Sequence, residues 1–173
     1  MLAAVALLAI PSSAWAFSFG IGIEGGGTLS YLTSAQALPD LGLILTQRFE
    51  LGPIDLTLWE DVNVPVIYDG AIDYAPIDVG LRVGLPGPLF RPYVGVLAND
   101  SISLGSKAAS CGCSEVAVSN VPGLGGDVGF DLAVSFLRFG FELRAYETLI
   151  SPAGGNFGDG FALQALLSFR AEL

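Results

Sequence analysis

The chain has 173 residues, enough for one domain, and 52% of them are hydrophobic, with a mean hydropathy of +0.63. A formal charge of −10, a single lysine (Lys107) and no histidine exclude a nucleic-acid binder, which needs a basic face, and exclude histidine-based nucleophilic catalysis. After the N-terminus no apolar run reaches the ~20 residues of a transmembrane helix, so the hydrophobicity is carried by another pattern.

The N-terminus reads MLAAVALLAIPSSAWA. An apolar run from Leu2 to Ile10 is followed by Pro11, Ser12 and Ser13, and then Ala14 and Ala16 flank Trp15 in an A-x-A pattern. This predicts a secretory signal peptide over residues 1–16, with Phe17 as the mature N-terminus, although a basic n-region is missing. The other reading is a buried N-terminal helix. Both cysteines lie in one motif, Cys111-Gly112-Cys113, which suits an oxidising compartment.

From Phe17 onward the residues alternate with period two, the signature of strands with one apolar and one polar face. Phe17, Phe19, Ile21 and Ile23 oppose Ser18, Gly20, Gly22 and Glu24. Leu41, Leu43, Leu45, Phe49 and Leu51 oppose Gly42, Thr46, Arg48 and Glu50. Ile54, Leu56 and Leu58 oppose Asp55, Thr57, Trp59 and Asp61, and Ala75 to Leu85 oppose Asp78, Gly80, Arg82 and Gly84. The fifth segment sets Phe90, Val94, Val96 and Ala98 against Arg91, Tyr93, Gly95 and Asn99. The sixth sets Leu124, Val128, Phe130, Leu132 and Val134 against Asp127, Gly129, Asp131 and Ser135. Leu137 to Ala145 then oppose Arg138, Gly140, Glu142, Arg144 and Tyr146, and Phe161 to Ala171 oppose Gln164, Ser168, Arg170 and Glu172. Eight segments result, each near the ~9–11 residues of a tilted membrane strand.

All six arginines (Arg48, Arg82, Arg91, Arg138, Arg144 and Arg170) fall on the polar parity. So do nine acids: Glu24, Glu50, Asp55, Asp61, Asp78, Asp127, Asp131, Glu142 and Glu172. Alternation alone does not say which face is inside. The polar face carries Gly and Arg but no Lys, as a crowded interior of paired charges requires, and the apolar face is large and smooth. Connections also alternate in length. Short ones fall at Gly52-Pro53, Pro86-Gly87-Pro88 and Phe136-Leu137; long ones run over about Gly25–Asp40, Val62–Tyr74, Asp100–Gly123 and Glu147–Gly160. Short turns at one end and long loops at the other are the habit of outer-membrane barrels.

On this pattern Phe17–Leu173 resembles the small eight-stranded bacterial outer-membrane barrels of the OmpA/OmpX type. The segment Phe161–Leu173 resembles the C-terminal assembly signal of that class, departing from it in ending on Leu173. The resemblance implies an all-β, eight-stranded antiparallel up-and-down transmembrane barrel. It also implies outer-membrane lipid, lipopolysaccharide and the barrel-assembly machinery as partners, and a monomer.

Eight strands enclose a space that side chains fill. The arginines are therefore expected to pair across it with the carboxylates, closing the lumen. The other use of the same network is a narrow path for ions or small solutes. Asp127 and Asp131 share a face, but no second catalytic group accompanies them, and no catalytic residue, cofactor or metal is predicted. Cys111 and Cys113 form a candidate disulfide, with pairing to another chain as the alternative; a metal site needs more ligands than this segment supplies. Asp40, Asp69, Asp73, Asp100, Glu115, Glu147 and Asp159 read as acids of the long loops, and Gly25-Gly26-Gly27 as the end of a strand. The expected role is structural or surface-interacting and non-enzymatic. A soluble secreted ligand-binding barrel is the third reading.

Overall fold

The computed structural model describes residues 16–30, 36–65, 74–108, 114–149 and 161–173. They form eight strands in chain order: β1 Ala16–Ser30, β2 Gln36–Glu50, β3 Asp55–Pro65, β4 Tyr74–Gly84, β5 Phe90–Ala108, β6 Ser114–Val134, β7 Leu137–Thr148 and β8 Phe161–Glu172. Each pairs antiparallel with its chain neighbours, and β8 closes on β1. Closure leaves no free sheet edge, so every strand has a partner on both sides.

The register fixes the shape. Around the barrel Ala16 pairs with Glu50, Glu50 with Asp55, Asp55 with Gly84 and Gly84 with Tyr93. The line continues through Gly129, Glu142 and Leu166 and returns to β1 at Gly26, a stagger of ten residues from Ala16. Such a shear tilts the strands by roughly 35–45° from the barrel axis.

The apolar parity faces outward. Leu43, Val96 and Leu167 are 63%, 64% and 65% exposed. The charged parity faces inward, and Asp78, Arg144 and Arg82 are 0%, 1% and 2% exposed. A water-soluble barrel has the opposite arrangement; an apolar exterior around a charged interior is that of a transmembrane barrel. Phenylalanines gather on the outer face toward the short-turn end, in ring contacts between Phe17 and Phe49 (5.3 Å), Phe90 and Phe130 (5.2 Å) and Phe139 and Phe169 (5.1 Å).

The short turns lie at 51–54, 85–89 and 135–136. Two need left-handed backbone, at Gly52 (φ 77°) and Ser135 (φ 59°). Glycine adopts this conformation freely; serine does so under strain.

Strand lengths depart from the expectation. β1, β2, β5 and β6 run on through residues expected in loops, so that Ala108 still pairs with Ser114. Only residues 31–35 separate β1 from β2, and 109–113 separate β5 from β6. The asymmetry between the ends therefore lies as much in strand extension as in connection length. Gly25-Gly26-Gly27 lies inside β1, paired to Leu41, Asp40 and Pro39. Asp40, Asp100, Glu115 and Glu147 belong to strands. Residues 1–15 of the expected signal peptide 1–16, the acids Asp69, Asp73 and Asp159, and the Cys111–Cys113 motif lie outside the described residues; Ala16, expected as the last residue of that peptide, is the first of β1.

Candidate functional site

Among the described residues, the fold concentrates its chemistry in the lumen. Period two sends every second residue inward, and tilt and stagger bring residues distant in sequence to one level of the cylinder. All six arginines and ten acids gather there: the nine predicted ones and Asp40.

At the short-turn end Arg48 bridges Glu172 at 2.7 Å and Asp131 at 3.2 Å. Arg138 also reaches Glu172, Ser18 donates to the same carboxylate at 2.6 Å, and Arg170 pairs with Asp131. Arg91 contacts Glu50 at 3.2 Å and Asp55 at 3.7 Å. This pair borders solvent, the Glu50 side chain being 40% exposed.

At mid-height Arg82 pairs with Asp127 and with Glu142, the latter at 2.5 Å. Tyr93 donates its hydroxyl proton to Glu142 at 3.1 Å. The Trp59 ring carries two guanidinium groups, Arg82 at 4.1 Å and Arg144 at 4.3 Å from its centroid. Arginine stacks in this way because its charge is planar and weakly hydrated. Gly80 makes the room: the three atoms nearest a Cβ built on it all belong to the Trp59 indole.

Toward the long-loop end Arg144 meets four carboxylates: Glu142 at 2.5 Å, Asp78 at 2.9 Å, Glu24 at 3.2 Å, and Asp61. Asn63 donates to Glu24 at 2.8 Å and to Asp61 at 3.2 Å, and Asn99 donates to Asp78. Beyond them Thr28 donates to Asp40 and Gln164 donates to Thr28 at 3.0 Å. Asp40, expected among the loop acids, is therefore a buried lumen residue.

Asp127 and Asp131 serve different guanidinium groups and form no carboxylate pair. Among the described residues, no group of three or more His, Cys, Asp or Glu has metal-binding geometry. A void of about 20 Å³ lies between the lower and middle layers, beside Arg48, Arg82 and Asp131. It has room for about one water.

Three large aliphatic side chains also point inward and escape a reading by residue type: Ile44 (0% exposed), Leu97 (3%) and Leu166 (1%). Leu97 packs with Trp59, Tyr146 and Ala162. Each lies in a run apolar on both parities: Leu43-Ile44-Leu45, Val96-Leu97-Ala98 and Leu166-Leu167. Carrying the phase of the nearest arginine or acid through the run is the signal that places them.

Closed register, outward apolar parity and inward ion pairs together define a small eight-stranded up-and-down barrel of the outer-membrane type. Solved structures of that class superpose on the chain. Neisserial surface protein A matches with a TM-score of 0.56 at 10% identity, over 91% of this chain and 97% of the other. The attachment invasion locus protein Ail of Yersinia pestis gives 0.54 at 11%, over 91% and 97%. The N-terminal β-barrel domain of Pseudomonas aeruginosa OprF gives 0.54 at 14%, over 89% and 97%. No protein-family model matches the sequence, and no curated protein resembles it. At such identities the likeness is one of fold.

Proposed function

We propose that this chain is a non-enzymatic protein of the bacterial outer membrane, exported with removal of residues 1–16, whose barrel carries its long-loop end to the cell surface. The supporting observation is the inversion of the barrel, with six arginines and ten acids inside an apolar exterior. Charges are kept in such an interior when they are paired and hydrogen-bonded. Layered across the bore, the pairs act as a plug, and the function then rests on the surface the barrel displays. Ail, one of the structural neighbours, has been solved with the heparin analogue sucrose octasulfate; in this chain the loop end is where a partner or lipopolysaccharide would be met. Phe161–Leu173 serves as the strand read by the barrel-assembly machinery.

Fractionation with outer membranes, combined with heat-modifiable mobility on a gel, tests the placement. Planar-bilayer recording tests the plug. Closed traces at physiological salt are expected; steady unitary conductance would replace the plug with a narrow channel. Recovery in the soluble periplasmic fraction would overturn the reading in favour of a soluble ligand-binding barrel.

A further inference from the structure

Glu60 stands where a lipid-facing surface keeps no charge. It is the middle residue of β3, Asp55–Pro65. The register sets it between Leu45 on β2 and Val79 on β4, with Leu58 and Val62 next to it on its own face. All four neighbours are exposed outward, and so is Glu60. About eleven residues tilted near 45° cross the hydrocarbon core, so this carboxyl lies near mid-depth. Among the described residues Glu60 makes no hydrogen bond and no ion pair. Among the described residues the other exposed acid, Glu147, lies near the long-loop end, pairing with Phe161 at the start of β8.

A second polar side chain shares the patch. Gln47, half-exposed on β2, pairs with Leu58 and is therefore diagonal to Glu60. Diagonal positions lie within reach of long side chains. The outer face thus presents an acceptor and a donor together, in a medium whose acyl chains supply neither. An ionisable group at that depth is costly unless a partner satisfies it.

We propose that the β2–β3 face is the contact between two copies of this chain in one membrane. Near the two-fold axis the Glu60 carboxyl of each copy accepts from the Gln47 side-chain N–H of the other. The occupant follows from geometry. Two copies inserted the same way up are related by an axis along the membrane normal, which brings equal depths together. The polar patch of one copy, acceptor and donor, is then answered by donor and acceptor of the same patch on its symmetry mate, with no foreign partner, and Leu45, Leu58 and Val62 pack around it. Such a dimer departs from the monomer expected of the sequence.

The inference rests on the membrane placement proposed above, and the experiment separates the two. In a background of Cys111→Ser and Cys113→Ser, reporter Leu58→Cys is compared with Leu143→Cys, on β7 four strands away. Both are refolded into lipid vesicles and oxidised. Vesicle flotation and heat-modifiable mobility report the placement. Cross-linking at Leu58→Cys and not at Leu143→Cys is expected. Adding Glu60→Leu should lower the cross-linked fraction about tenfold, the worth of one intramembrane polar contact, with flotation unchanged. A barrel that does not float overturns the placement. A floating barrel with no cross-link, equal cross-linking at both reporters, or full cross-linking with Glu60→Leu overturns the dimer alone.

Discussion

A Cβ on Gly80 would clash with three atoms of the Trp59 indole, a ring on which the Arg82 and Arg144 guanidinium groups also pack. Gly80→Ala is therefore expected to destabilise the barrel by about 1–3 kcal/mol, the usual cost of overpacking, measured by urea unfolding in vesicles. Two arginines give a sharper contrast. Arg82 is buried against Asp127, Glu142 and Trp59. Arg82→Ala leaves carboxylates unpaired in a low-dielectric interior, at a cost on the order of 3–5 kcal/mol. Arg91 pairs with a Glu50 that reaches solvent and, at 3.7 Å, with the buried Asp55, so Arg91→Ala should cost less than Arg82→Ala, about 1–2 kcal/mol. Equal losses at the two sites in the same titration would contradict the buried placement of the mid-height layer. Ser135 holds left-handed backbone between β6 and β7. Ser135→Gly should relieve about 1 kcal/mol of strain and slow unfolding.

At the scale of the strand, parity decides what a substitution does. Val96 on β5 faces outward at 64% exposure, near the middle of the apolar band. Val96→Lys is expected to cost ~2–4 kcal/mol in a bilayer, whereas a soluble barrel would accept the lysine without loss. Parity was also what the sequence made legible. Phe17 to Glu24 and Leu137 to Tyr146 alternate without a break, and their faces could be assigned by residue type alone. Where both parities are apolar, as at Ile44, Leu97 and Leu166, type carries no phase, and these lumen side chains are found only by counting from a charge. Strand ends were less legible because pairing continues beyond the bilayer, where alternation between lipid and lumen no longer selects residue type. Gly25-Gly26-Gly27 reads as the end of a strand, yet lies inside β1 with its partners on β2 and β8. Glycine there has a steric cause: a Cβ on Gly26 would meet the Ala165 carbonyl of β8. The arginine partners were not readable at all. Arg144 and Glu24 are 120 residues apart in sequence and meet only through the stagger of the closed sheet.

For the molecule as a whole, the energetic logic is that hydrocarbon solvates one parity of every strand while arginine and carboxylate solvate each other along the other. The barrel's exterior supplies insertion, its interior supplies rigidity, and neither needs a catalytic group. Consecutive spin labels along β5 in reconstituted bilayers test this most directly, with both cysteines replaced by serine. Labels at positions 94, 96 and 98 should show high collision rates with dissolved oxygen and low rates with a water-soluble nickel chelate, while those at 95 and 97 should be shielded from oxygen. The opposite phase, or strong exposure of the outward positions to the chelate, would contradict the inverted barrel.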